Sequence, residues 1–447
     1  MLNKLLDSKL FSFTQSRPIK MLVLIGIFYR IFMFAFYLHS NLFPDSGSFI
    51  TLGDALLDFD LRWYNGERSP GYPILYFLTF GSTRLTIILQ FAIGIITSVF
   101  WYKTLLNLQF SAKNSFWIAL FLESFLTVFL YESSFLIETL ALFLITILFY
   151  ILSNGYFEKK SIKLELSMSL LLAYLVLVKP FFAFIPFIIY GFVILKNFKF
   201  SNFLSQKIII LIFPLMAYFG WSYVNKINTG YFVSTTFYGL NIAQNCVYFA
   251  EKGPEEYNWI SKSYVKQRQI SINENMDIAM TIWRSYGSGD FDEKCLNFAQ
   301  LSNELGNYGK ATIVNNPKDY LEQVITRSWF DFWLVSGKNA FVPFRVSPFD
   351  KVMDVIWFVQ NGLLLIFKFT FLALVPFYFF KCFKNKKVTI ELIIITVVFA
   401  TSLLQGLVTY GTNSKYAFPF EFLMIIVVLL FVKKNVRFSK RLNKILQ

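Results

Sequence analysis

Ten apolar runs dominate this chain, at about 20–38, 84–102, 115–131, 134–152, 165–178, 181–195, 207–224, 353–380, 390–409 and 416–432. Each is near or above the ~18 residues needed to cross a hydrocarbon core. In lipid every backbone N–H and C=O must find its partner within the protein, which restricts spanning segments to helices or closed barrels. Uninterrupted apolarity over this length selects helices, so the sequence predicts an all-α polytopic membrane protein with about ten transmembrane helices. Composition agrees: 15% of residues are charged, against about 25% in soluble domains. Phe supplies 56 of the 447 residues, a usage that suits lipid-facing surface. The fifth and sixth runs are short and separated by Lys179-Pro180, which reads as a tight hairpin or one broken helix.

The formal net charge of +15 raises nucleic acid as a partner, but no binding motif accompanies the charge and its distribution has another cause. Lys and Arg concentrate in the N-terminus, 103–114, 153–164, 195–207, 381–387 and the tail after Val432, whereas the short segments on the opposite side carry Arg62, Arg68, Lys179 and Lys415. This is the positive-inside pattern. It predicts a multi-pass protein of the plasma (inner) membrane with both termini cytoplasmic, and the tail KKNVRFSKRLNK is suited to anionic headgroups. The first run follows Lys4, Lys9, Arg17 and Lys20 like a signal peptide. It is long, however, and lacks a small-residue cleavage site before His39-Ser40-Asn41, so an uncleaved anchor is expected.

The chain thus divides into 1–224, with seven helices and a first outer loop at 39–83, an outer segment at 225–352, and 353–447, with three helices and a basic tail. Residues 255–285 and 297–328 read as mostly helical. The cluster Trp329-Phe330-Asp331-Phe332-Trp333 looks like an interfacial aromatic belt. Cys246 and Cys295 fall in the outer segment, where an oxidising compartment permits a disulfide that spacing alone cannot establish.

Candidate chemistry concentrates in the first outer loop. Pro44-Asp45-Ser46 is a helix start with Asp45 or Ser46 as the cap. Phe49, Leu52, Leu56 and Phe59 then recur at helical spacing, an interfacial amphipathic helix. Asp54 and Asp58 fall off that stripe and read as a solvated face. In Arg68-Ser69-Pro70-Gly71-Tyr72-Pro73, two prolines bracket Gly-Tyr, so the backbone is stiff and no helix starts before Tyr72. Such a turn holds Arg68 at headgroup level, where a guanidinium partners a phosphate through charge-assisted hydrogen bonds or snorkels to lipid. Asp290, Asp292 and Glu293 form an acidic knot without the regular spacing of a calcium loop. A single histidine, His39, argues against zinc sites and histidine relays.

Asp45 with Phe49, Gly53 and Leu56 resembles the D-x3-Y-x3-A-x2-L opening of the polyprenyl-phosphate-dependent GT-C glycosyltransferases. The similarity is to the bacterial branch that includes protein O-mannosyltransferases and aminoarabinose transferases (glycosyltransferase family 39-like). RSPGYPIL is similar to that branch's R-x-P-G-Y-P segment. Tyr131 to Thr139 resembles its second outer loop, with Glu138 near the top of the fourth helix. Val178-Lys179-Pro180 stands where the family often has Arg-Pro, Asn316-Pro317-Lys318-Asp319-Tyr320 resembles N-P-x-x-Y, and Asn413 to Pro419 resembles the final loop R-Y-x-x-P. The matches are scattered along the whole chain in the family's order, with Phe49 replacing Tyr and Lys179 and Lys415 replacing Arg.

The resemblance implies transfer of a sugar from a polyprenyl-phosphate donor to a hydroxyl of a lipid, glycan or protein acceptor at the outer face. Asp45 would be general base; Arg68, Lys179 and Lys415 would stabilise the departing phosphate; Tyr72, Glu138 and Tyr416 would complete the substrate site. No cofactor is implied. A divalent metal on Asp45 and Glu132 has precedent among relatives, but no paired-carboxylate motif is visible. Two other classes share the topology: a transporter or flippase for lipid-linked saccharides, for which repeat symmetry and midplane polar residues are expected, and a polysaccharide polymerase or ligase. Arg30 and Glu123 are the charged exceptions within the apolar runs.

Overall fold

The computed structural model describes residues 17–196, 205–411 and 413–435. The basic N-terminal residues Lys4 and Lys9, much of the 195–207 segment, and the tail beyond Asn435 lie outside the described residues. Within them the chain is helical. The only extended pairing described is one isolated bridge between Asn41 and Ser134.

The chain opens with α1 (Pro18–Tyr37), α2 (Pro44–Leu57), α3 (Pro73–Leu78) and α4 (Thr83–Asn107). It continues through α5 (Ala112–Glu123), α6 (Leu126–Glu132), α7 (Glu138–Ser153), α8 (Ile162–Val178), α9 (Phe184–Leu195) and α10 (Ile209–Thr229). The 225–352 segment folds into α11 (Tyr238–Gln244), α12 (Asn258–Asn273), α13 (Thr281–Gly287), α14 (Phe298–Asn315), α15 (Pro317–Gln323) and, after a π turn at Val324–Trp329, α16 (Phe330–Trp333). Three helices close the chain: α17 (Ser347–Asn385), α18 (Ile390–Val408) and α19 (Asn413–Asn435).

All ten apolar runs form helices, but six of these are long and apolar enough to cross a membrane: α1, α4, α10, α17, α18 and α19. The bent pair α5–α6 makes a seventh if it is a single span, so among the described residues six to seven spans, not the ten expected, are supported by length and composition. The run at 115–131 is split between α5 and α6, which bend by 59° at Ser124-Phe125. The runs at 134–152, 165–178 and 181–195 become helices of 16, 17 and 12 residues. Buried Glu138 opens α7 four residues into its run and Pro180 sets a 3-10 turn before α9, whereas α8 starts three residues ahead of its run, with buried Glu165 in its first turn. The protein is a multi-pass helical membrane protein with some helices that stop short of a full span.

A continuous apolar core joins α1 and the α4–α9 region to α17–α19. A second, smaller core belongs to 225–352, built around Leu240, Phe249, Ile260, Tyr264, Leu305 and Tyr308. Cys246 is buried there and Cys295 is exposed; both thiols are free, so the disulfide that the sequence allowed is not formed. Asp290 is held by Ser263, Lys266 and Gln267, so this part of the acidic knot is a structural junction.

Inside the bundle, Arg30 of α1 reaches across to both exceptional carboxylates. Its Nη1 lies 2.7 Å from Glu123 and its Nη2 2.6 Å from Glu132. Glycine makes the space: a Cβ at Gly94 would stand 1.7 Å from the Glu132 carboxylate. Glu132 is therefore not a partner for Asp45 in a metal site.

Candidate active site

The first outer loop is pinned to the second. Ser46 accepts a hydrogen bond from the Phe43 N–H at 2.9 Å and donates to the Phe135 carbonyl at 2.8 Å. Asn41 pairs backbone to backbone with Ser133 and Phe135, and its side chain is tied to Tyr37 and Ser134. This fixes the start of α2. Phe43, not Asp45, is the residue preceding the helix, and Ser46 satisfies the free N–H there. Of the two capping candidates, Asp45 and Ser46, it is Ser46 that bonds the free N–H, from within the first turn, and the Asp45 carboxylate is left for other partners.

Those partners come from opposite ends of the chain. The Arg68 Nη2 lies 2.6 Å from one Asp45 oxygen, and the Lys415 Nζ lies 3.1 Å from the other. Lys415 also stands 3.6 Å from Glu138, whose second oxygen is buried without a hydrogen-bond partner. Burial alone would raise the Asp45 pKa; the Lys415 ammonium and the Arg68 guanidinium outweigh it and hold the carboxyl well below the usual range. The Asp45 side chain retains 43% exposure, so the cluster opens to the surface.

Each cation is independently braced. Arg68 donates from Nε to Ser48 at 2.8 Å, and its guanidinium lies 4.5 Å from the rings of both Phe49 and Phe237. Its carbonyl accepts from Tyr64 and Trp221. Phe237 arrives from the 225–352 segment, where Thr235 and Thr236 bond to the backbone of Glu67 and Asn65. Lys415 sits in the first turn of α19. That turn is anchored by Asp331, which accepts from the Ser414 N–H at 3.1 Å, and by Asn413, which donates to the Ser328 carbonyl at 2.9 Å. Ser328 belongs to the π turn, an irregularity that recurs at functional sites.

Lys179 completes the group. Its Nζ lies 3.3 Å from the centre of the Tyr416 ring and 5.2 Å from that of Phe181. Burial lowers its pKa below the ordinary lysine value, reinforced by Lys415 and Arg68 and opposed by Glu138 and Asp45. The Arg-Ser-Pro-Gly-Tyr-Pro turn is docked on the end of α8, which carries Lys179. The Gly71 N–H donates to the Leu177 carbonyl at 2.9 Å, and Tyr174 donates to the Gly71 carbonyl at 2.9 Å. A Cβ at Gly71 would lie 2.3 Å from the Val178 nitrogen, so this position requires glycine.

The structure thus gathers Asp45, Arg68, Glu138, Lys179, Lys415 and Tyr416, all singled out from sequence, at one end of the helical bundle. Tyr72 is different. It is fully buried, donates to Gln90 at 3.1 Å and packs on Phe49 and Phe135, so it braces the site from beneath rather than lining it. His39 stacks edge-on against Tyr37 outside this group. Asp54 and Asp58 are exposed, as a solvated face should be. Sequence reasoning missed Ser48, Phe237 and Asp331. Asp331 had a signal, an acid inside an aromatic belt; Phe237 had none. Among the described residues no cluster of three or more His, Cys, Asp or Glu is placed to hold a metal ion.

No protein-family model, curated protein or solved structure matches this chain.

Proposed function

We propose that this chain is an integral membrane glycosyltransferase of the GT-C type, moving a sugar from a polyprenyl-phosphate donor to an acceptor hydroxyl with inversion. The observation that carries this reading is a part-exposed carboxylate, Asp45, held between Arg68 and Lys415 at the mouth of a membrane bundle, with Lys179 and Glu138 alongside. A lipid-linked sugar phosphate presents the same combination of needs: cations for the phosphate, a base for the acceptor and an apolar bed for the tail. The motif resemblance to the family supports it independently of the geometry.

In the reaction, the acceptor oxygen attacks the anomeric carbon and its proton passes to Asp45. The bond from that carbon to the phosphate oxygen breaks, and the electron pair leaves on the polyprenyl phosphate. One base and no covalent intermediate produce inversion. Arg68, Lys415 and Lys179 stabilise the charge that grows on the leaving phosphate. Glu138, with an unpartnered oxygen, accepts hydrogen bonds from sugar or acceptor hydroxyls. The acceptor is a lipid, glycan or protein, and the site faces the outer side of the plasma (inner) membrane.

One observation favours a second reading. The Arg30–Glu123–Glu132 cluster lies within the apolar helices, and intramembrane charges often mark transport pathways. The test is to incubate the protein in proteoliposomes with a radiolabelled polyprenyl-phosphate sugar pool. Appearance of label on an acceptor together with free polyprenyl phosphate supports the transferase. Movement of intact donor across the bilayer without cleavage supports the transporter.

A further inference from the structure

The Asp45 carboxylate occupies two of the three cations that the proposed reaction assigns to the donor's phosphate. Oδ1 takes Arg68 at 2.6 Å and Oδ2 takes Lys415 at 3.1 Å. Within the described residues these are its hydrogen-bonding partners. A carboxylate engaged through both oxygens by cations is a poor proton acceptor, because charge-assisted hydrogen bonds to its ionised form favour that form. The same cations cannot at once hold Asp45 tightly and hold a phosphate. The two roles belong to two states of one site.

The bracing shows which partner moves. Arg68 keeps Ser48 and the Phe49 and Phe237 rings when Asp45 departs. Lys415 keeps Glu138 and lies 5.9 Å from the centre of the Phe43 ring. Asp45 has no comparable second anchor for its carboxylate, and its side chain is 43% exposed against 20% for Arg68 and 17% for Lys415.

We infer that Asp45 is a built-in placeholder for the donor phosphate: it neutralises the Arg68–Lys415 pair in the empty site, and arrival of a polyprenyl phosphomonoester displaces it and so releases the base. This rests on the transferase reading and adds an order of events to it. The base becomes competent only when a phosphate is seated, which protects the site from idle proton transfer. After transfer, Asp45 carries the acceptor's proton and is neutral, so it cannot compete for the cations. Loss of that proton to water restores its charge, and the restored carboxylate helps expel the carrier phosphate.

The test measures binding of sugar-free polyprenyl monophosphate to the full chain in nanodiscs, for wild type, Asp45→Asn, Asp45→Ser and Lys415→Gln, beside sugar transfer by the wild type. The placeholder predicts that both Asp45 variants bind the carrier more tightly, by roughly three- to tenfold for release from part-exposed ion pairs, while Lys415→Gln binds it more weakly. Equal or weaker binding by both Asp45 variants, with wild-type transfer intact, overturns the placeholder and leaves the transferase standing. A wild type that neither binds the carrier nor transfers sugar overturns both. Two substitutions of different shape guard against a local packing defect in either one.

Discussion

The protein contains two clusters in which arginine meets carboxylates, and they differ in how far they open to the surface. In the bundle, Arg30 lies between Glu123 and Glu132, with side-chain exposures of 4% and 2% for arginine and acids. The guanidinium also donates to the Gly26 carbonyl at 3.1 Å. At the mouth, Arg68 and Lys415 grip Asp45, but the Asp45 side chain is open to the surface; each cluster also keeps one carboxylate oxygen without a hydrogen-bond partner, on Glu123 inside and on Glu138 at the mouth. The interaction type is the same; the exposure to the surface is not. A closed cluster acts on the fold, because removing one member strands a buried charge. An open one with surplus cation is available to a ligand.

This contrast is breakable by substitution. Arg30→Ala is expected to have the largest effect on the fold, since two acids lose their counter-charge: a loss of about 3–5 kcal/mol, seen as failure to recover monodisperse protein by size-exclusion chromatography. If instead Arg30→Ala yields stable protein with lost transport or transfer, the inner cluster is functional and the contrast fails. Gly71→Ala comes next. Its Cβ would press on the Leu177–Val178 backbone, and overpacking of this kind costs about 1–3 kcal/mol. The turn carrying Arg68 would lift from α8, so both the melting temperature in detergent and the rate should fall.

Arg68→Lys sharpens the comparison within the mouth. Lysine keeps the charge but loses the planar fork and the double ring stack. With stacked cations contributing about 0.5–2 kcal/mol, carrier affinity should weaken by a few-fold to about thirtyfold while the melting temperature barely moves. An equal drop in stability would make Arg68 a structural residue like Arg30.

The smallest effect is a change of pH profile. Lys179 is charged below its pKa, which burial lowers. If its charge assists the leaving phosphate, the rate falls as pH rises through that lowered value, and Lys179→Arg removes this alkaline limb because arginine stays protonated. Asp45 titrates below the usual carboxylate range, so it contributes no acid limb near neutrality. A wild-type profile unchanged by Lys179→Arg would remove Lys179 from the phosphate-stabilising group.

The sequence made the helical class and most of the mouth legible, for separable reasons. Asp45, Arg68, Lys179 and Lys415 were visible because charge is scarce in this chain and stands out beside apolar runs and prolines. Helix lengths were less legible: an apolar window reports composition, and it misses the bend at Ser124-Phe125, the late start at Glu138 and the 3-10 turn at Pro180. Tyr72 was read as part of the substrate site because it shares a motif with Arg68, yet its direction depends on how the turn docks on α8, which local sequence does not encode. The pairing of Arg30 with Glu123 and Glu132 spans 93 and 102 residues, so the lone charges were visible and their mutual satisfaction was not. Phe237 stacks on Arg68 only because the 225–352 segment folds back onto the first loop.

The central claim is that Asp45 does chemistry and is not a structural anion. The direct measurement is single-turnover sugar transfer from polyprenyl-phosphate sugar by Asp45→Asn against wild type, with melting temperature and donor binding recorded on the same samples. The account predicts a fall in the chemical step of about 10²- to 10⁴-fold, the usual contribution of a positioned base, with folding retained and donor binding no weaker than in the wild type. Transfer at the wild-type rate by stably folded Asp45→Asn would contradict it.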